Sequence, residues 1–418
     1  LTPELSRQLA LTLAASRYAS AQFQRSPAML LDLLASGDLD RVLAPADFRR
    51  RVEATLSGVE DEDTLMARLR QLRSREQCRI IWRDCNRLAG LWEITADLSA
   101  LADACVDLSL DWLYQAMCQD IGTPQDGAGN AQRMVVLGMG KLGAFELNLS
   151  SDIDLIFSFP ASGQTSGGRR ALSNQDFFVR LGQRLIRVLD THTGDGFVFR
   201  VDMRLRPYGQ SGALALGFDA MQEYYQDQGR EWERYAMIKA RTIAGDLAAG
   251  EELLASLNNF VYRRYVDFSA IESLRDMKAL INREVQRRGL RDDVKLGAGG
   301  IREVEFIVQA FQLIRGGRDL ALQDRRLSKV LDVLAEKGLL PEAVVAELRE
   351  AYVFLRNTEH AIQSIDDAQT QLLPSEPIER ARIAMIVGFA DWESFYAELN
   401  RHRSNVRRHF EILVEAPT

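Results

Sequence analysis

Asp152-Ile153-Asp154 places two carboxylates two residues apart, so on a strand both project from one face while Ile153, Leu155 and Phe157 project from the other toward a core. Two like charges held that close repel. They become tolerable with a divalent cation between them, and hard oxygen ligands of this kind suit Mg²⁺. A third carboxylate stands in Gly196-Phe-Val-Phe-Arg200-Val-Asp202-Met-Arg204-Leu-Arg206. Alternation there puts Phe197, Phe199, Val201, Met203 and Leu205 on one side and Arg200, Asp202, Arg204 and Arg206 on the other. Beside these runs lie the glycine-rich stretch Gly138-Met-Gly140-Lys141-Leu-Gly143 and Ser151. Carboxylates at the ends of neighbouring strands, a glycine-rich loop and several arginines make a site for metal-bound phosphates. The competing reading is a solvated strand face laced with Asp–Arg pairs.

The elements needed to position these groups can be read from periodicity. Residues 1–121 carry apolar residues three and four apart, as in Leu65, Leu69 and Leu72, and read as a helical region. Cys78 and Cys85 share a face of it and read as small core residues. The Gly122–Gln132 turn cluster ends that pattern and opens a strand-containing domain over 122–250, with strands expected at Met134–Gly138, Ile153–Phe159 and Phe197–Leu205. A Gly/Ser loop is expected at Ala161–Gly168 and a helix over Asn174–Thr191. Gly138 to Gly143 matches G-x-G-x-x-G, but only Ala144 to Ser151 separate it from the acidic strand, too few for the crossover helix of a dinucleotide-binding unit. From residue 251 to 418 a helical bundle is expected, with Gly338 ending one helix and Pro341 opening the next. The overall class is α+β, with the strand domain embedded in a mainly helical chain.

Composition narrows the partners. The 418 residues carry 52 Lys and Arg against 59 Asp and Glu, a formal charge of −7, so no global basic field exists to hold a nucleic acid. Four cysteines without a Cys-x-x-Cys pair and four histidines without ligand spacing make neither a disulfide framework nor a zinc site, and fit a reducing cytoplasm. No apolar run approaches the roughly 18 residues of a membrane span. The first residue is Leu, which suggests a chain excised from something longer.

Gly138 to Phe157 (G-M-G-K-L-G-x-x-E-L-N-x-S-S-D-I-D-L-I-F), followed by Phe199 to Pro207 (F-R-V-D-M-R-L-R-P), resembles the nucleotidyltransferase core of the DNA polymerase β superfamily. More narrowly it resembles the family of bifunctional glutamine synthetase adenylyltransferase/adenylyl-removing enzymes, which carry two homologous halves. Lys295 to Gln309 (K-L-G-A-G-G-I-R-E-V-E-F-I-V-Q), with the Met139 and Asn148-Leu-Ser-Ser variants, resembles the N-terminal, adenylyl-removing half. The resemblance spans about residues 20–415.

It implies phosphorolytic removal of AMP from a tyrosine of glutamine synthetase, releasing ADP, with Asp152, Asp154 and Asp202 as catalytic and metal-binding carboxylates. Gly138, Gly140 and Ser151 would position nucleotide phosphate, and Lys141, Arg204 and Arg206 would offset its charge. Lys141 as a solvated loop charge stays open. Mg²⁺ is the expected ion, with Mn²⁺ not distinguished. Implied partners are adenylylated glutamine synthetase, the uridylylated PII signal protein, phosphate with ADP or ATP, and a C-terminal adenylyltransferase half of the same polypeptide. The residues leave two alternatives open: ATP-dependent adenylyl transfer, and a non-catalytic domain sensing nucleotide or the signal protein. Two further segments are weighed: Glu231 to Arg241 as a polar helix whose basic end reaches the nucleotide or is merely a paired surface, and Gly297 to Gly300 as a turn that binds an anion or packs on the catalytic domain.

Overall fold

The computed structural model describes residues 2–263 and 292–415. Residues 264–291, within the expected C-terminal helical part, and the terminal residues 1 and 416–418 lie outside the described residues.

Asp61 opens the helix Glu62–Cys85 by accepting the Thr64 N–H at 2.8 Å. Its apolar repeat buries Leu65, Leu69, Leu72, Ile80, Ile81 and Trp82. Cys78 and Cys85 are buried too, and burial pushes both thiols up, so they act as small apolar fillers. The helix Leu91–Ile121 follows and stops at Gly122, whose φ of +87° leaves helical space. A Cβ there would lie 2.6 Å from the Ser166 carbonyl oxygen, so the turn requires glycine.

The strands are β1 (Thr123–Asp126), β2 (Val135–Gly138), β3 (Asp152–Phe159), β4 (Gly163–Ser166), β5 (Arg200–Asp202), β6 (Ala215–Gly217) and β7 (Arg241–Gly245). β1 and β4 form a small antiparallel pair. The main sheet runs β5-β3-β2-β7, with β6 also pairing β3. β2 is antiparallel to β3 and to β7, and β3 is parallel to β5 and β6. Ser173 caps the helix Asn174–Asp190, which lies in the connection between β3 and β5, close to its expected span.

Three sequence expectations change. The strand expected over Phe197–Leu205 shrinks to Arg200–Asp202. The Val198 and Phe199 N–H groups both go to the Leu189 carbonyl instead of a ladder, and after Asp202 the carboxylate accepts the Arg204 N–H at 2.7 Å and turns the chain. The loop expected at Ala161–Gly168 contains β4. Arg241, expected at the end of a polar helix, lies in β7, because the helix Glu231–Met237 ends first.

The sheet lies between two helical layers. Along β2, Val136 joins a core with the N-terminal helices, whereas Val135 and Leu137 join one with the C-terminal helices. Along β3, Ile153, Leu155 and Phe157 face the first core, as expected, and Ile156 faces the second. By strand alternation Asp152 and Asp154 share the face of Ile156, toward the C-terminal side.

That side comprises the helices Ile301–Arg315, Leu327–Glu336, Glu342–Asp366, Pro377–Val387 and Trp392–Glu415. Gly338, at φ +62°, follows the second of these, and Pro341 precedes the third, whose Val345, Leu348, Tyr352 and Leu355 are buried. This long helix also reaches the rest of the molecule. The Ser16 hydroxyl donates to the Ser364 carbonyl, Gln363 Oε1 accepts the Ser150 N–H at 2.9 Å, and the Trp92 and Tyr352 rings stack.

Candidate active site

The parallel register sets Asp154 opposite Asp202 and Asp152 opposite Arg200, so the three acidic positions gather at one end of two neighbouring strands. The glycine-rich run meets them through its backbone. The Met139 N–H donates to the Asp154 carbonyl at 2.9 Å, and the chain then enters a one-turn helix, Gly140–Gly143. Gly140 has φ +54°, and a Cβ there would lie 2.7 Å from Asp154 Oδ2, so glycine is what lets the loop approach the carboxylate. Gly138 sits inside the sheet with its Cα against Ile243 and supports this turn from behind.

Burial, then the neighbouring charges of Asp152 and Asp202, push the Asp154 carboxyl up to about 7. Asp202 behaves oppositely. Burial would raise it, but hydrogen bonds from the Arg204 backbone and guanidinium, the latter 2.7 Å from Nε, hold it below the ordinary carboxylate range. Ser151 Oγ lies 3.3 Å from Asp152 Oδ1.

Among the described residues, no three His, Cys, Asp or Glu side chains are gathered closely enough to cage an ion. The three aspartates are therefore neighbours in register without forming a closed ligand set, and Asp202 is paired with Arg204. Their chemistry nonetheless fits a hard divalent cation. The donors are carboxylate oxygens, and Asp154 carries a charge penalty that a cation would remove. Asp152 and Asp154 would hold such an ion, with Asp202 joining on release from Arg204.

Asp152 separates two concavities. One, of about 300 Å³, is lined by Gly140, Lys141, Ser151, Asp152 and Asp154 on the sheet side, and by Lys239, Lys295, Arg302 and Glu305 on the other. The second, of about 350 Å³, is a groove that includes Asp152, Asp202, Arg200, Arg204 and Arg206. Arg204 is exposed and paired with Asp202. Arg206 donates to the Met203 carbonyl at 2.8 Å and, more weakly, to that of Gly212, closing the turn after β5.

Lys141 is neither a solvated loop charge nor free for a ligand. Its ammonium bonds Glu305 at 2.6 Å and the Tyr352 hydroxyl at 3.0 Å, and Glu305 is shared with Lys239. The two ammonium groups hold the Glu305 carboxyl well below its ordinary range despite full burial. Burial pushes Lys141 down to about 7; Glu305 opposes this, and Arg356 and Lys239 add to it.

Glu305, Lys295 and Arg302 were not among the expected site residues, whereas Lys239, in the basic end weighed as reaching the nucleotide, does line the pocket. A signal for Glu305 existed: it interrupts the apolar run Val304 to Val308 on a buried helix face. Arg241 does not reach the pocket, since its guanidinium grips Asp103 at 2.9 and 3.0 Å and stacks on Phe145. The Gly297–Gly300 turn packs on the C-terminal helix: a Cβ on Gly299 would lie 2.0 Å from the Arg403 carbonyl oxygen, and the Gly299 N–H is taken by Glu303.

Residues 6–256 match the family model described as glutamate-ammonia ligase adenylyltransferase, more than half of the chain. The chain belongs to the glutamate-ammonia ligase adenylyltransferase family. Residues 275–414 of this family member match a second model, GlnD PII-uridylyltransferase. Its relatives include proteins named bifunctional glutamine synthetase adenylyltransferase/adenylyl-removing enzyme. The one from Pseudomonas putida is 60% identical over 405 residues, 97% of this chain and 42% of the relative. Those from Hahella chejuensis and Nitrosococcus oceani are 54% and 53% identical, again over 42% of their own lengths. The chain thus spans less than half the length of the curated relatives it matches. Among the described residues, no helix is long and apolar enough to cross a membrane.

Proposed function

We propose that this chain is the adenylyl-removing half of such an enzyme, built on a polymerase β-like nucleotidyltransferase core, and that it takes AMP off a tyrosine of glutamine synthetase by phosphorolysis. The observation that carries this reading is the register that sets Asp154 opposite Asp202 on parallel strands beside the Gly140 turn, with Asp152 and Asp154 opening onto a pocket with a basic far wall.

The reaction is Tyr–O–AMP plus hydrogen phosphate giving Tyr–OH plus ADP. A phosphate oxygen forms a bond to the α-phosphorus, the α-phosphorus to tyrosyl-oxygen bond breaks, and its electron pair leaves on the phenolate. That oxygen takes the proton given up by the hydrogen phosphate. Two anions must approach each other, so the protein has to offset charge. A divalent ion held by Asp152, Asp154 and Asp202 would supply Lewis-acid stabilisation of the transferred phosphoryl group. Gly140 and Ser151 offer backbone and hydroxyl donors to the nucleotide phosphate. A phenol, with a pKa of about 10, departs readily once its charge is offset.

The full reading places the chain in the cytoplasm, uses Mg²⁺ or Mn²⁺, and joins it to an adenylyltransferase half that lies outside this sequence. It answers to the uridylylated PII signal protein. Incubation with adenylylated glutamine synthetase, phosphate and Mg²⁺ tests it: ADP should appear. Label transferred from ATP to the synthetase instead would show the opposite direction, and neither product would leave a non-catalytic regulatory role.

A further inference from the structure

The cations that sequence spacing puts nearest the acidic residues are already occupied. Arg204 is paired with Asp202, Arg206 closes its own turn, Arg200 donates to Ser150 Oγ at 2.7 Å, and Lys141 and Lys239 share Glu305. Two cations on the pocket wall differ. Lys295 and Arg302 face the pocket from the C-terminal side, and among the described residues neither is in an ion pair with a carboxylate. Their backbones are tied together, the Arg302 N–H donating to the Lys295 carbonyl at 3.1 Å, so the helix start at Ile301 fixes both on one wall. Across the pocket stand Asp152 and Asp154, and Lys295 is close enough to offset part of the Asp154 charge penalty.

We infer that Lys295 and Arg302 form the subsite for the phosphate that lies beyond the α-phosphorus: inorganic phosphate as co-substrate, and the β-phosphate of ADP once the bond has formed. This rests on the phosphorolytic reading and adds to it the residues that bind the second substrate. A small dianion free in solution needs fixed cations to be held next to another phosphate. Arg302 presents a planar fork suited to two oxygens, and Lys295 a point charge.

The test uses the whole chain, with adenylylated glutamine synthetase as substrate and inorganic phosphate as the varied probe. Arg302→Ala and Lys295→Ala should each raise the phosphate KM about tenfold or more, the loss expected of a charged hydrogen bond, with a much smaller change in the KM for the adenylylated protein. Arg302→Lys should recover part of the loss. Inhibition by ADP should weaken in both alanine variants, and inhibition by AMP should not, which separates this subsite from the nucleoside end. Arg302 is exposed, so circular dichroism should show an unchanged fold, with Arg302→Gln as the milder variant if alanine perturbs it. An unchanged phosphate KM in folded variants would overturn the inference while leaving phosphorolysis standing. If wild type releases no ADP, phosphorolysis fails, and direct phosphate binding followed by ³¹P NMR decides the subsite alone: equal binding by wild type and Arg302→Ala would overturn it.

Discussion

Asp154 destabilises the empty fold. Its carboxyl titrates near 7 when folded and near 3.8 when unfolded, so the native state binds the extra proton between those values, and stability falls as pH rises through that window. Above pH 7 the full penalty applies. Asp154→Asn should therefore stabilise the metal-free protein at pH 8 by roughly 2–4 kcal/mol, at about 1.4 kcal/mol per pKa unit, and hardly change it at pH 4. Urea unfolding at the two pH values in the presence of chelator checks this, and equal stability of wild type and variant at pH 8 would contradict it. Mg²⁺ should reverse the order by stabilising wild type alone. Glu305 has the opposite sign: its folded value is depressed, so its contribution is present above about pH 4.5 and is lost as pH falls further. Glu305→Gln removes the carboxylate shared by Lys141 and Lys239, and Lys141, already depressed by burial, sheds its proton at pH 7; the variant should lose about 1–3 kcal/mol there and also that acid-dependent part of the stability curve.

At the scale of elements, the glycine-rich turn works by close approach. A Cβ at Gly143 would lie 1.9 Å from the Lys239 carbonyl oxygen and 2.5 Å from that of Gly138, both backbone atoms that cannot rotate away. Gly143→Ala should lower stability by about 1–3 kcal/mol in thermal unfolding, with the loss centred on the contact between the turn and the start of β7. Much of this level was legible beforehand. The β2 and β3 strands, the helix Asn174–Asp190 and the helix opened at Pro341 follow from periodicity and turn residues, and the short spacing after Gly143 correctly excluded a dinucleotide-binding crossover. The β5 region was overextended because alternating residues read as strand even where the Leu189 carbonyl and the Asp202 side chain take the backbone N–H groups. Apart from Lys239, the far wall of the pocket was not legible, since Lys295, Arg302 and Glu305 meet the aspartates only through tertiary packing across as many as 150 or so residues of chain.

At the scale of the molecule, one sheet has its two faces buried by helices from opposite ends of the sequence, and the long helix Glu342–Asp366 touches the N-terminal helices, the loop before β3 and the Lys141 cluster. Fluorescence of the buried Trp82 in a variant whose other four tryptophans are replaced by Phe, and far-ultraviolet circular dichroism of the same chain, should then report one coincident unfolding transition, whereas two separated transitions would mean that the layers fold independently. The same packing brings the acidic end of β3 and the basic wall to one pocket, and its chemistry is decided by product analysis. Wild-type chain, adenylylated glutamine synthetase, phosphate and Mg²⁺ should yield one ADP per AMP removed. Asp154→Asn and Asp202→Asn, folded to the same circular dichroism spectrum, should lose activity by orders of magnitude. Wild-type rates of ADP release from either folded variant would contradict the assignment of these carboxylates to the reaction.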